Sequence, residues 1–127
     1  MQWISVAVGG ALGALARWSL AGLTYGTMGT AFPWGTLTVN VLGCFGLGAV
    51  AVWADAAVAA EWIRSAVAVG FLGAFTTFST FSLESLRLLQ EGEGARAAGY
   101  IAVSVGLGLG AVVTGMALAR WGLTRPG

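Results

Sequence analysis

The chain has 127 residues, of which 57% are hydrophobic and 9% charged, and its formal net charge is +1. A soluble domain carries about a quarter of its residues as charges, so this composition cannot cover a water-facing surface, and the near balance of charge offers nothing to nucleic acid or another polyanion. With no histidine and a single cysteine, a His/Cys metal site and an internal disulfide are both excluded.

Four apolar stretches follow, at about residues 3–23, 36–56, 62–89 and 98–121. Each reaches the ~20 residues that a helix needs to cross about 30 Å of hydrocarbon. Together they take up nearly the whole chain, so residues 1–127 read as a single all-α integral membrane domain.

The first stretch is rich in small residues, with Gly9 and Gly13 at GxxxG spacing, as are Gly22/Gly26 and, in the last stretch, Gly106/Gly110. Such spacing lets helices approach closely where van der Waals packing replaces the hydrophobic effect. Ala14-Leu15-Ala16 resembles a signal-peptide cleavage site, but no Lys or Arg precedes the apolar run. Arg17 either snorkels toward the Leu23 end or lends a vestibule positive potential that draws in anions. A turn-rich loop is expected over Tyr25–Gly35. In the second stretch Asn40 lies at mid-span, with Thr36 one turn earlier and Gly43 nearly one turn later. Its amide is either a helix–helix clamp or a donor facing an anion. Cys44 reads as a small packing residue, and Asp55–Glu61 as a polar cap.

The third stretch is the unusual one. Thr76-Thr77-Phe78-Ser79-Thr80-Phe81-Ser82 holds five hydroxyls and two phenyl rings at a depth where no bulk water exists to meet them. Gly70 and Gly73 precede it, and glycine weakens a helix interior by about 1 kcal/mol relative to alanine. The spacing predicts a break near residues 73–77 that frees backbone carbonyls in need of a partner. Phe78 and Phe81 share a helix face. They read as lipid contacts or, with Ser79 and Thr80 between them, as part of a polar seam. A benzene ring has a positive edge, so an anion can be met edge-on without a formal counter-charge. Glu84 continues that side of the helix and is a functional candidate, or else reaches water and pairs with Arg87. A hydrophilic hairpin, Gln90–Arg96, leads to the fourth stretch, where Tyr100 and Ser104 form either a donor track or an interhelical hydrogen bond.

Trp3, Trp34, Trp53, Trp62 and Trp121 fall near predicted span ends, where indoles settle at headgroup level; Trp18 does not. With the N-terminus facing the cytoplasm, Arg64, Arg120 and Arg125 lie on that side, Arg87 and Arg96 opposite, and Arg17 near that opposite end. Since Lys/Arg imbalance sets orientation, this near tie allows insertion both ways up. No nucleophile–base pair, paired deep carboxylates or phosphate loop emerges, so catalysis is not expected.

Three ordered motifs carry a resemblance. They are Gly9-Gly10-Ala11-Leu12-Gly13-Ala14-Leu15-Ala16-Arg17, the run Gly35–Gly43 around Asn40, and Gly70–Ser82 with Glu84 beyond it. Over nearly its full length the chain resembles the Fluc (CrcB-type) fluoride ion channels. The resemblance implies an antiparallel, dual-topology homodimer of four-helix protomers, with two fluoride pores along the subunit interface and a third helix broken in mid-membrane. It implies a structural sodium ion (Na+) on the dimer axis, held by the carbonyls of Gly73 and Thr76. Asn40 would donate to fluoride and Phe78 and Phe81 would line its path. Ser79, Thr80, Tyr100 and Ser104 would supply hydroxyls, Glu84 would sit near one pore end, and Arg17 would lie in the vestibule. The plasma (inner) membrane of a prokaryote is the implied location. In one respect the chain departs from the family. The fourth-helix hydroxyl track continues one and two turns beyond Ser104 there, whereas Gly108 and Val112 stand at those positions here.

Two other functions fit the composition. A small dual-topology, proton-coupled multidrug exporter is also a four-helix dimer, but it needs a deep carboxylate, and no acidic residue precedes Asp55. A structural membrane subunit without transport would give flat flux traces.

Overall fold

The computed structural model describes residues 1–56 and 60–124; Arg125, counted in the charge balance, and positions 57–59 of the expected polar cap lie outside them. The described residues are all-helical. Helix α1 (Gln2–Met28) and helix α2 (Trp34–Ala56) are followed by a composite third segment. That segment runs through α3 (Glu61–Arg64), a π-helical stretch (Ser65–Leu72), α4 (Gly73–Phe75), two extended residues, and α5 (Phe78–Gln90). Helix α6 (Gly94–Thr124) completes the fold. Four segments, Gln2–Met28, Trp34–Ala56, Glu61–Gln90 and Gly94–Thr124, are long and apolar enough to cross a membrane.

Two boundaries differ from expectation. Helix α1 continues through the region expected to be loop, because its late hydroxyls need no water: Thr24 Oγ1 donates to Leu20 O at 2.8 Å and Thr27 Oγ1 to Leu23 O at 3.1 Å. Tyr25 is therefore helical, and Gly29, at φ 80°, ends the helix by turning its amide onto Tyr25 O at 2.9 Å. Likewise the third connection shrinks to the turn at Glu91–Glu93, closed by Gly92 at φ 80°.

Contacts between segments are tight where glycines fall. Gly9 and Gly13 bring α1 onto the backbone of Ala66 and Phe71, and Gly70 meets Val6 and Gly10 from the other side. Helices α2 and α6 cross in the same way, with Gly48 against the Val112 carbonyl and Gly115 against the Phe45 carbonyl. A Cβ at any of these positions would collide with backbone, the condition that small-residue motifs exist to satisfy. Gly22, Gly26, Gly106 and Gly110 instead face open space. The outer surface is apolar on every long helix, with Trp3, Leu15, Trp18, Leu109 and Val113 exposed. Water would penalise that surface; lipid tails or another protein would not.

Candidate functional site

The site begins where the third segment leaves helical geometry. Thr76 (φ −84°, ψ 156°) and Thr77 (φ −148°, ψ 106°) are extended between Phe75 and Phe78. Unpaired backbone groups in an apolar interior are expensive, and Asn40 relieves two of them at once. Its Oδ1 accepts the Thr77 amide at 2.7 Å while its Nδ2 donates to the Thr77 carbonyl at 3.1 Å. The Thr77 hydroxyl caps α5 by accepting the Thr80 amide at 3.2 Å, and it donates to the Thr80 hydroxyl at 2.9 Å. These bonds have a consequence upstream. In an unbroken helix the amides of Thr77 and Thr80 would serve the carbonyls of Gly73 and Thr76; here they are directed to Asn40 and to the Thr77 side chain.

The polar residues then divide between two concavities. The first, about 270 Å³, is lined by Asn40, Thr76, Thr77, Phe78, Phe81 and Ser104, with Gly43 and Cys44 beside them. Phe78 is 78% exposed, and its ring centroid lies 5.7 Å from that of Phe81. The Ser104 hydroxyl is buried and has no hydrogen-bond partner among the described residues. Buried hydroxyls almost always have a partner; Ser104 lines the groove while its own oxygen is enclosed and unbonded among the described residues. One amide hydrogen of Asn40 remains beyond its bond to Thr77, since the group carries two.

The second concavity, about 350 Å³, is lined by Arg17, Tyr25, Thr36, Thr77, Thr80 and Glu84. Glu84 is fixed within the helices rather than paired with Arg87. Its Oε1 accepts from Thr36 at 2.8 Å and from Tyr25 at 3.1 Å, and its Oε2 accepts from Tyr100 at 2.8 Å. Three hydroxyls from three helices thus converge on one carboxylate, a charge-assisted set worth roughly twice as much per bond as neutral pairs. Tyr100 is fully buried, with Phe81 against one side of its ring at 5.3 Å and Phe32 edge-on at 5.4 Å. Its hydroxyl therefore faces Glu84 and not the groove that Ser104 lines. Ser79 is exposed, with its hydroxyl 3.3 Å from that of Thr77.

The sequence pattern missed two of these participants as partners of Glu84. Tyr25 falls within the loop expected over Tyr25–Gly35, and Thr36 enters the sequence pattern only as a neighbour of Asn40. The available signal was that the chain has just two tyrosines, and both phenols end on the same carboxylate.

Comparison with known proteins gives the chain's family. The family model described as CrcB-like protein, Camphor Resistance (CrcB), matches residues 4–116. A protein of Rhizobium johnstonii is 46% identical over 121 residues, covering 94% of this chain and 97% of the relative. One of Methylococcus capsulatus is 52% identical over 122 residues, covering 94% of this chain and 53% of the relative. One of Saccharophagus degradans is 48% identical over 120 residues, covering 93% and 89%. Each of the three is named fluoride-specific ion channel FluC. The matched residues run through all four apolar segments of a multi-pass membrane protein, and the chain belongs to the CrcB-like protein family.

Proposed function

We propose that this protein is a fluoride-selective channel, a passive pore and not an enzyme, through which fluoride leaves the cell across the plasma membrane. The observation that carries the reading is the likeness to relatives named fluoride-specific ion channel FluC, together with the groove that gathers Asn40, Phe78, Phe81 and Ser104. A bare small anion in hydrocarbon costs tens of kcal/mol by Born solvation. Hydroxyl, amide and aromatic-edge contacts replace its water, and several moderate sites release the ion where one deep site would trap it. Arg17, in the second concavity, lends it a positive potential that draws in anions. Ser79 and Thr80 add hydroxyls at the start of α5, and Glu84, held by Tyr100, stands at one end of the path.

The groove is open on one side and the surrounding surface is apolar. A second copy inserted upside down covers it, giving an antiparallel homodimer with two pores along its interface. The displaced carbonyls of Gly73 and Thr76 fit a hard cation, which favours oxygen ligands. One sodium ion shared between the two copies' mid-membrane breaks would complete their bonding and hold the copies in register.

Purified protein reconstituted in fluoride-loaded liposomes tests the reading, with efflux followed by a fluoride electrode and no proton gradient imposed. Efflux is expected for the unaltered protein. Asn40→Asp should abolish it, because a carboxylate cannot donate to Thr77 and sets a negative charge in the anion's path. Undiminished flux in that variant removes Asn40 from the pore, and flat traces for the unaltered protein remove the channel.

A further inference from the structure

Tyr25 and Glu84 line two cavities at once. One is the concavity with Arg17, Thr77 and Thr80. The other, about 340 Å³, opens beside the α1–α2 connection and is lined also by Thr30, Pro33, Arg87 and Glu91. The Tyr25–Glu84 hydrogen bond of 3.1 Å therefore lies in the wall between them. A second feature fixes that wall. Gly35, buried in the first turn of α2, leaves its side-chain space to the Tyr25 ring: a Cβ there would fall on the ring's Cδ2, Cε2 and Cζ. The phenol oxygen is then brought to 3.4 Å from Thr36 Oγ1 and within reach of Glu84.

We infer that Tyr25 is a positioning residue whose phenol, seated on Gly35, latches Glu84 across the wall between the inner cavity and the outer one, so that the latch must open for an anion to pass. This rests on the channel reading. An anion moving from the Arg17 side toward the α1–α2 connection meets the latched pair and must part it. Breaking one phenol–carboxylate bond is a step of the passage, and Thr36 and Tyr100 keep Glu84 in place meanwhile. Tyr25 sets how often the wall opens without holding the ion at rest.

Single-channel recording of the purified full chain in planar bilayers, with sodium fluoride on both sides, tests the latch. Tyr25→Phe keeps the ring on its seat and removes only the donor. The unitary fluoride current should rise at least about tenfold, the size of one net hydrogen bond to a charged group, with the half-saturating fluoride concentration unchanged. Gly35→Ala, which pushes the ring off its seat, should raise the current likewise, and adding it to Tyr25→Phe should give no further rise. A folding defect would change the number of channels and not the current through each. A Tyr25→Phe current within about 1.5-fold of the unaltered protein's, or below it, overturns the latch while the channel stands. No fluoride current in the unaltered protein removes the channel and the latch together.

Discussion

At the scale of single residues, polar groups here fall into two kinds, those with partners and those without. Asn40, Thr77, Thr80, Tyr100 and Glu84 all have partners, and their substitution disturbs the fold as well as the path. Ser104 differs, because its hydroxyl bonds nothing among the described residues. Removing a hydroxyl that makes no bond forfeits nothing and relieves a desolvation penalty. Ser104→Ala should therefore leave the thermal midpoint in detergent unchanged or slightly raised while lowering fluoride flux several-fold. A lower midpoint with unaltered flux would assign Ser104 to packing. Residue types were legible in the sequence at this scale and partners were not. Asn40 and Thr77 lie 37 positions apart, and Tyr25 and Glu84 lie 59 apart. No local periodicity links such pairs, which is why both readings of Asn40 stayed open: its carboxamide serves as a clamp and still has a hydrogen to offer.

At the scale of elements, hydropathy alone located all four apolar segments, because length and the exclusion of charge decide what crosses a bilayer. The departure from helix at Thr76–Thr77 was also legible, through glycine and paired threonines ahead of a hydroxyl-rich run. The π-helical stretch Ser65–Leu72 was not. Its one glycine, Gly70, signals a close approach and not a change of helix type, and the stretch lies where α1 presses on its backbone through Gly9 and Gly13. GxxxG spacing proved ambiguous for a physical reason: the motif states that a close approach is possible and leaves open which helix approaches. Gly115 stands against Phe45 O and Ala49 N, whereas Gly106 has nothing within 4 Å. Gly115→Ala should lower stability by about 1–3 kcal/mol, the usual penalty of overpacking, read as a drop in melting temperature with monomeric protein in detergent. Gly106→Ala should be neutral or mildly stabilising there, since alanine favours helix by about 1 kcal/mol. Equal losses at the two positions would contradict the α2–α6 crossing described here.

At the scale of the whole molecule, the question is how one chain serves the proposed antiparallel pair. By sequence position Arg64, Arg120 and Arg125 fall on the N-terminal side of the four spans and Arg87 and Arg96 on the other, a near tie. Arg17 sits eleven residues before the end of α1 at Met28, well inside the span. A tie of this kind gives insertion no preferred direction, and the proposed antiparallel pair needs both directions from one sequence. Biasing the charge should therefore silence the protein while leaving the groove of Asn40, Phe78, Phe81 and Ser104 unaltered. Three lysines added at the N-terminus fix that end in the cytoplasm, and such a variant expressed alone should lose fluoride efflux from cells. Three lysines placed instead in the Glu91–Glu93 turn fix the opposite orientation and should silence it equally. Expressed together, the two variants restore a complementary pair, and efflux should return toward the unaltered level. Full efflux from either variant alone would mean that copies pointing the same way suffice, and the shared sodium site and paired pores would have to be abandoned with the antiparallel dimer.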